Sequence, residues 1–254
     1  MIYGLYLSAQ GAETQSRRLE VISNNLANAQ TGAFKRDLAL FQENRPFDLE
    51  NQTGDDSLDG LNESTGGVTL AGVATDFSDG SLIQTGGIYD VAITGPGFLQ
   101  VSDGQQQLLT RNGKLAVSAN GELVTQDMGF HVLGDGGGPI NIGSQEIEIA
   151  TDGTIFEVSA DGARSRASRL GLVTVDSTDG LEKVGNSFYR SAVTTRPAGA
   201  EAQLHQGFIE SSGTQSVLET MQLIEASRAF ETNVNMIKFQ DEALGQLLQT
   251  VPRR

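Results

Sequence analysis

The stretch SNNLANAQTGAFKRD, residues 23–37, ends a helical pattern with three asparagines and then leads into a basic, aromatic segment. Upstream of it, apolar and small residues recur every three or four positions, apart from one skipped turn near Ser16, which predicts a helix over residues 1–29. The stripe consists of Leu5, Ala9, Ala12, Leu19, Ile22, Leu26 and Ala29. Because three of these seven side chains are alanine, we expect the helix to pack closely against a partner and to bury little apolar area alone.

The other end of the chain carries a longer helical pattern, from about residue 215 to residue 249. Its stripe advances in alternating steps of four and three residues, which is a heptad spacing sustained over more than three repeats. The stripe consists of Leu223, Ser227, Phe230, Val234, Ile237, Asp241, Leu244 and Leu248, and a second edge near its start consists of Val217, Met221 and Ile224. A helix of about 35 residues is about 50 Å long. The pattern therefore predicts a coiled-coil-like helix that pairs with the N-terminal one.

Between the helical patterns the sequence is typical of antiparallel β-hairpins. Asp-Gly and Asn-Gly dipeptides, which favour tight turns because these residues tolerate positive φ, begin at positions 79, 103, 112, 120, 152, 161 and 179. Segments such as KLAVSA (114–119) and EIEIA (146–150) alternate apolar and polar side chains, as half-buried strands do. The expected fold class is α+β, with a mainly-β central domain, either a sandwich or an irregular barrel, flanked by paired coiled-coil-like helices.

These patterns divide the chain into four ranges. Residues 1–46 hold the N-terminal helix and its exit segment, residues 47–67 form an acidic loop, residues 68–204 form the β-rich domain, and residues 205–254 hold the C-terminal helix. The loop is rich in turn formers and poor in large apolar side chains, so we assign it no secondary structure.

Composition argues against several kinds of site and partner. The 254-residue chain has no cysteine, which excludes disulfides and thiolate sites, and its histidines, His131 and His205, lie far apart in different contexts. The net charge of −15 is concentrated in residues 48–204, which carry eight basic and twenty-two acidic side chains, whereas both ends are nearly neutral. Because an acidic surface repels nucleic acid and anionic lipid, we expect neither as a partner.

The chain shows no pattern for entering or crossing a membrane. No apolar run approaches the roughly 18 to 20 residues that a membrane-spanning helix needs. The N-terminus does not combine a basic region with an apolar block. We therefore expect no membrane insertion and no Sec signal.

The glycine-rich turns predict no ligand site. Gly95-Pro96-Gly97 lacks the remainder of a phosphate-binding motif, and Pro96 has no backbone N–H, so we expect a tight turn between two strands. The segment GDGGGPI (134–140) lacks the repeat of calcium-binding β-rolls and is interpreted as a flexible turn. The carboxylates form no catalytic pattern. We expect no catalytic residue, metal or cofactor, with an acidic β-rich extracellular adhesin or glycan-active enzyme as the alternative from another class.

Two interpretations of the helical ends stay open. In the first, the helices pair within one molecule and cap the β domain. In the second, they also pack against other copies of the chain and build an assembly. A long apolar stripe beside a small β domain favours the second interpretation.

The opening stretch resembles the N-terminal signature of the flagellar rod and hook family, which reads approximately N-N-[LI]-A-N-x-x-T-x-G-[FY]-[KR]. In this chain the signature is Asn24-Asn25-Leu26-Ala27-Asn28-Ala29-Gln30-Thr31-Gly32-Ala33-Phe34-Lys35. The chain departs from it at Ala33, where the family usually has Gly. We expect Gly32 to supply the same backbone flexibility one residue earlier.

Three further segments resemble the same family. YDVAITGPGFLQV (89–101) is similar to its strand-turn-strand motif, and LTRNGKLAVSANGELVT (109–125) is similar to its T-R-x-G hairpin. Residues 206–248 are similar to its Q-G-x-[LIV]-E opening and to the following helix with R-[AR]-[FY]-E, which here begins at Arg228. The segment Ser212-Gly213-Thr214-Gln215 stands where the family has S-N-V-N.

The resemblance implies a bacterial flagellar basal-body rod protein of the FlgF and FlgG type. Such a subunit is structural rather than enzymatic. It polymerises helically with itself and meets neighbouring rod or hook proteins after passing through the flagellar type III export apparatus. A short hook or hook-like protein is the alternative within the family.

The predicted assembly interface combines the two helical stripes with the exit segment. Its asparagines are expected either to bond neighbouring subunits or to cap the first helix, and Phe34 is expected to anchor the exit segment. The predicted interface comprises Leu5, Ala9, Ala12, Leu19, Ile22, Asn24, Asn25, Leu26, Asn28, Phe34, Lys35, Leu223, Arg228, Phe230, Val234, Ile237, Leu244 and Leu248.

Overall fold

Two long helices lie at the two ends of the chain. The computed structural model describes residues 2–44, 67–143, 146–159 and 161–250. Helix α1 spans Ile2–Ala27 and helix α2 spans Ser216–Thr250, so both predicted helices are confirmed to within two residues at each end. Neither is apolar enough over a bilayer's thickness to be a membrane span.

The rest of the described chain consists of antiparallel strands joined by turns and loops, with a short 3-10 helix at Thr178–Gly180, which confirms the α+β class. The strands are β1 Asp37–Glu43, β2 Val68–Thr75, β3 Leu82–Gln84, β4 Val91–Thr94, β5 Phe98–Ser102, β6 Gln107–Thr110, β7 Leu115–Val117, β8 Leu123–Thr125, β9 His131–Val132, β10 Ile147–Ile149, β11 Thr154–Val158, β12 Arg164–Arg169, β13 Leu172–Val175, β14 Leu181–Gly185, β15 Phe188–Ser191, β16 Thr195–Pro197, β17 Gln203–Gln206 and β18 Phe208–Glu210. The predicted acidic loop, except Gly67, lies outside the described residues.

The chain forms two compact units. The helical unit consists of Met1–Ala27, Asp37–Asp76 and Gln215–Arg254, and it contains α1, α2 and the hairpin of β1 with β2. The β unit consists of Asn28–Arg36 and Phe77–Thr214, and it contains the other strands. The exit segment that follows α1 therefore packs with the β unit.

The two helices of the helical unit lie side by side and run in opposite directions. Gln240 Nε2 donates a hydrogen bond to Ser8 Oγ at 3.5 Å. A Cβ on Gly4 would lie 3.2 Å from Gln240 Nε2, and one on Gly11 would lie 3.1 Å from Asn233 Nδ2. Small residues in α1 thus permit the close approach that the composition of its stripe predicts.

The β unit is built around an open, nine-stranded sheet. Seven of its strands follow the order β14-β15-β6-β5-β9-β8-β7, with β13 pairing to β5 and β16 pairing to β13. In the described residues no sheet closes on itself, so the predicted irregular barrel is wrong. The main core contains Val91, Ile93, Leu99, Val101, Leu108, Leu123, Val132, Ile140, Ile155, Leu170, Phe188 and Leu204, among others.

Several predicted turns are confirmed by the backbone. Glycine has positive φ at four of the predicted turn dipeptides: Gly104, Gly121, Gly153 and Gly162. Gly95 also has positive φ and makes the tight turn between β4 and β5, as expected. Gly113 serves another purpose, because a Cβ there would lie 1.7 Å from the backbone oxygen of Val91. Glycine at that position allows two backbone segments to meet.

Candidate functional site

The exit segment after α1 folds into tight turns. The backbone N–H of Thr31 donates to the oxygen of Asn28 at 3.1 Å, and that of Phe34 donates to the oxygen of Thr31 at 3.3 Å. The hydroxyl of Thr31 donates to Asn28 Oδ1 at 3.2 Å. The Asn28 side chain therefore supports a local turn in the monomer.

The strained residue of this segment is Ala33, not Gly32. Ala33 has φ of 51°, in the left-handed region, whereas Gly32 is not among the residues with positive φ. The expectation that Gly32 supplies the flexibility is therefore wrong. An L-residue in this region costs about 1–2 kcal/mol, and a hydrogen bond from Ala33 N to the backbone oxygen of Glu210 at 3.0 Å holds it there.

Asn25 acts inside the helical unit. Its side chain is buried, its Nδ2 donates to the backbone oxygen of Asp37 at 2.8 Å, and its Oδ1 accepts from the backbone N–H of Asp37 at 2.9 Å. The side chain thereby ties the end of α1 to the first residue of β1. Its neighbour Asn24 is exposed.

Phe34 is buried beneath a cation. The Nζ atom of Lys183 lies 3.8 Å from the centroid of the Phe34 ring and donates a hydrogen bond to the backbone oxygen of Lys35 at 2.9 Å. A cation at this position over an aromatic face is attracted by the ring quadrupole. Phe34 therefore anchors the exit segment within the β unit.

Lys35 enters a cluster of charged side chains, which we call the ionic cluster: the buried Lys35, Arg111 and Glu210, and Asp79, whose side chain is 55% exposed. The Nζ atom of Lys35 donates to Glu210 Oε1 at 2.6 Å and to the backbone oxygen of Ser78 at 2.7 Å. The side chains of Lys35 and Glu210 are each only 1% exposed. Burial is the main cause that lowers the pKa of Lys35, and the hydrogen bond and charge of Glu210 oppose that shift.

Arg111 is the most highly bonded member of the cluster. Its Nε donates to Glu210 Oε2 at 3.0 Å, and one Nη donates to Asp79 Oδ1 at 2.8 Å. The other Nη donates to the backbone oxygens of Gly95 and Gly97, at 2.9 and 3.1 Å. The planar guanidinium thereby connects two carboxylates to the turn between β4 and β5.

The charges of the cluster balance, and Asp79 alone among its four side chains is exposed to solvent. Two cations face two carboxylates, and the backbone N–H of Gly80 donates a further bond to Glu210 Oε1 at 2.8 Å. Buried charges are tolerated when they are paired and hydrogen-bonded in this way. Both oxygens of Glu210 are already occupied by protein donors, so the arrangement suits a structural joint better than a catalytic acid or base.

Asp79, Arg111 and Glu210 are not among the site residues that the sequence patterns predict. Because the acidic middle contains many carboxylates, their number alone singled none of them out. The available signal was local: Arg111 and Glu210 are single charges inside otherwise apolar or small segments, LLTRNG and QGFIES. Lys35 was predicted as an interface residue, and the structure places it in this interior cluster.

The predicted helical stripes occupy mixed environments. Ala12 and Ile22 are buried, and half-buried positions are held by Leu5, Leu19, Leu26, Leu223, Phe230, Val234, Ile237 and Leu244. Ala9 and Arg228 are exposed. Leu248 lies in α2, but its side chain is outside the described part of the structure.

A second edge of α2 is more exposed than its heptad stripe. We call Val217, Leu218, Met221 and Ile224 the outer stripe; Val217 is 72% exposed, Met221 62% and Ile224 48%. Met221 lies four residues after Val217, three after Leu218 and three before Ile224, so it neighbours all three on the helix surface. Contiguous exposed apolar surface of this kind marks interaction sites.

The opposite end of the helix pair carries another set of exposed apolar side chains. We call Tyr3, Tyr6, Met236 and Phe239 the distal group; all four are exposed, and Phe239 is the most exposed at 67%. Residues 221 and 239 lie about 27 Å apart along α2. The helical unit therefore presents apolar side chains at two separated levels.

Three family models match the chain in the order of its motifs. The model described as "Flagella basal body rod protein" matches residues 5–35, the one described as "Flagellar hook protein FlgE/F/G D1 domain" matches residues 92–163, and the one described as "Flagellar basal body rod FlgEFG protein C-terminal" matches residues 205–250. Each matched region contributes one residue to the ionic cluster: Lys35, Arg111 and Glu210.

Curated relatives match almost the whole chain. "Flagellar basal-body rod protein FlgF" of Caulobacter vibrioides is 36% identical over 236 residues, covering 92% of this chain and 91% of the relative. "Flagellar basal-body rod protein FlgG" of Bacillus subtilis is 31% identical, covering 98% of each chain. The FlgG protein of Buchnera aphidicola subsp. Schizaphis graminum is 33% identical, covering 98% of this chain and 100% of the relative.

Proposed function

The chain belongs to the family of flagellar basal-body rod proteins represented by FlgF and FlgG, and from that premise we propose that it polymerises helically with copies of itself through its helical unit. As a member of this family it is a structural protein of the flagellar basal body and assembles with other rod or hook components. The near-complete coverage of relatives named as rod proteins favours the rod over a hook subunit.

The exposure of the outer stripe is the observation that carries this proposal. Met221 is 62% exposed although it lies in the middle of an apolar helix face. A monomer gains nothing from such exposure, whereas a neighbouring subunit that covers the stripe gains the free energy of burying apolar surface. The helical ends are nearly neutral, so little charge repulsion opposes the contact.

The arrangement suits contacts between different surfaces of identical subunits. A helical polymer grows when one patch binds a different patch on the next copy. The outer stripe and the distal group lie at two levels of the helix pair. We therefore propose that the outer stripe of one copy binds the distal group of the next copy. Asn24 and Arg228, both exposed, stay in the proposed interface.

Other predicted interface residues are proposed to act indirectly. Asn25, Phe34 and Lys35 are buried within the chain, so they shape the subunit that presents the interface. We also propose that α1 and α2 pair as a coiled-coil-like element through the heptad stripe of α2. This pairing supplies a stiff element for transmitting torque along a rod.

The route of the subunit follows from the same premise. We propose that it leaves the cytoplasm through the flagellar type III export apparatus and takes its place in the rod. Family membership supports a structural role for the chain rather than an enzymatic one.

Replacing Met221 with Asp in cells that lack the native copy tests this proposal. The carboxylate is solvated in the monomer but would be buried in the polymer, so we expect unchanged melting of the purified monomer, no incorporation into basal bodies and loss of motility. Asn120→Asp adds the same charge at an exposed position of the β unit, outside the outer stripe and the distal group, and is expected to assemble. Normal basal bodies containing the Met221→Asp protein would exclude the outer stripe as an assembly contact.

A further inference from the structure

The chain passes between its two units four times, after Ala27, Arg36, Asp76 and Thr214. On the β-unit side of the four passages, the chain belongs to one of three short segments. These segments are 28–36, the residues immediately after Asp76, and the residues immediately before Thr214. If these segments move, the points at which the chain enters and leaves the β unit move with them.

The ionic cluster joins the three segments to one another. Lys35, one residue before the second passage, bonds Ser78 and Glu210. Gly80 N donates to Glu210 Oε1 at 2.8 Å. Arg111 bonds both Asp79 and Glu210, and through the oxygens of Gly95 and Gly97 it ties them to the β4–β5 turn.

The same segments are also joined by backbone hydrogen bonds. Ala33 N donates to the oxygen of Glu210 at 3.0 Å, and Gly213 N donates to the oxygen of Phe34 at 2.8 Å. Ser212 Oγ donates to the oxygen of Asn28 at 3.0 Å, next to the first passage. The first and last segments are thus held by both ion pairs and backbone bonds.

We propose that the ionic cluster is a clamp that holds the four chain passages in one fixed arrangement, with Lys35, Arg111 and Glu210 as its positioning residues. This role goes beyond polymerisation, because it concerns the internal stiffness of a single subunit. A subunit that carries load needs its covalent connections to keep their geometry while neighbours pull on them.

Charged groups suit this task because their bonds are directional. Apolar packing tolerates sliding and repacking, whereas a two-oxygen carboxylate between an ammonium, a guanidinium and a backbone N–H has few alternative arrangements. Removing one partner of a buried pair leaves the other charge uncompensated. Glu210 is the centre of the cluster, since both Lys35 and Arg111 bond to it.

The clamp makes a prediction that a purely stabilising role does not. We expect Glu210→Gln to accelerate amide hydrogen exchange at Ala33, Gly80 and Gly213 by about tenfold or more relative to strand amides such as those of Leu108 and Val101. Glu182→Gln is the matched control in the same unit, because Glu182 forms an exposed ion pair with Arg190. It is expected to change none of these rates.

A double variant separates geometry from stability. Lys35→Met combined with Glu210→Gln removes one charge of each sign, so the uncompensated charge is avoided and we expect melting closer to that of the original chain than for Glu210→Gln alone. The clamp requires exchange at Ala33 and Gly213 to stay fast even so. If Glu210→Gln does not fold, this variant decides the matter.

Three results would overturn the clamp. One is acceleration of exchange by the same factor at the passages and in the strands, which indicates global destabilisation. Another is no acceleration at all. The third is a double variant that restores slow exchange at Ala33 and Gly213, which would show that the charges are dispensable. All of these measurements use the monomer, so they do not depend on whether it polymerises.

Discussion

The side-chain amide of Asn25 is hydrogen-bonded to both backbone polar groups of Asp37, donating to its oxygen at 2.8 Å and accepting from its nitrogen at 2.9 Å. Twelve residues separate the two, and the turns of the exit segment lie between them. Only a side chain with a donor and an acceptor at one end can complete both bonds. The asparagine is therefore required for its chemistry as well as its size.

We expect Asn25→Asp to be at least as destabilising as Asn25→Ala, although Asp has nearly the same shape as Asn. Alanine removes both hydrogen bonds to the part-buried backbone of Asp37, which costs about 1–3 kcal/mol. Aspartate keeps the acceptor but places a carboxylate oxygen against the carbonyl oxygen of Asp37. Urea denaturation followed by far-UV circular dichroism measures both losses. The exposed Ser23 supplies the control, Ser23→Ala, which is expected to cost about 0.5 kcal/mol or less.

The left-handed backbone of Ala33 predicts an asymmetric response to substitution. Ala33→Gly removes the strain but also a buried methyl group and adds chain entropy to the unfolded state, so a net change within about 1 kcal/mol is expected. Ala33→Val adds a β-branched side chain at positive φ in a buried position and is expected to cost more than 2 kcal/mol, as an order of magnitude. Thermal unfolding of the two variants is the measurement. Equal stability of the Gly and Val variants would contradict the strained geometry.

A side chain at position 113 is expected to cause a steric clash, although the φ of Gly113 is not in the left-handed region. The absence of a Cβ leaves room for the backbone oxygen of Val91, which would lie 1.7 Å from an added Cβ. Because Val91 belongs to β4, this oxygen can move away only if the strand moves. We expect Gly113→Ala to lower the free energy of unfolding by about 3 kcal/mol. Gly136→Ala is the control, because nothing lies within 4 Å of a Cβ there. Similar melting temperatures for both variants would refute this close approach.

Lys35 predicts a pH dependence. Burial lowers its pKa below the ordinary 10.5, so between the lowered pKa and 10.5 the unfolded chain holds a proton that the folded chain has released. The free energy of unfolding, compared with that of the Lys35→Met variant, should therefore rise with pH across this window. This gain in stability is lost as the pH falls through the folded-state pKa. Because Glu210 raises the pKa of Lys35, we expect Glu210→Gln to lower that pKa further. The 13Cε chemical shift of Lys35 against pH measures this, and an unchanged or higher pKa in the variant would contradict it.

The helices could be predicted because their signal is periodic and local. The stripes of Leu5 to Ile22 and of Leu223 to Leu244 repeat every turn or two, and both helices end within two residues of the expected positions. Turn dipeptides likewise act within a few residues, so the turns at Gly104 and Gly153 were predictable.

Features formed by distant residues could not be predicted in this way. The β1–β2 hairpin pairs Leu38 with Ala74, and nothing local in either segment indicates the other. The bond from Lys35 to Glu210 spans 175 residues. A single charged residue in a short apolar segment indicates that a partner is needed, but it does not identify the partner.

The long sequence separations in the ionic cluster also bear on how fast the chain folds. Arg111 and Glu210 are 99 residues apart, and Lys35 and Glu210 are 175 apart, so both ion pairs require large loops to close. Folding slows as the average separation between contacting residues grows, and the two ion pairs at Glu210 form only when the last fifth of the chain is present. A chain that is made from its N-terminus therefore stays without its central joint until Glu210 is present, so this joint cannot guide the earlier steps of folding.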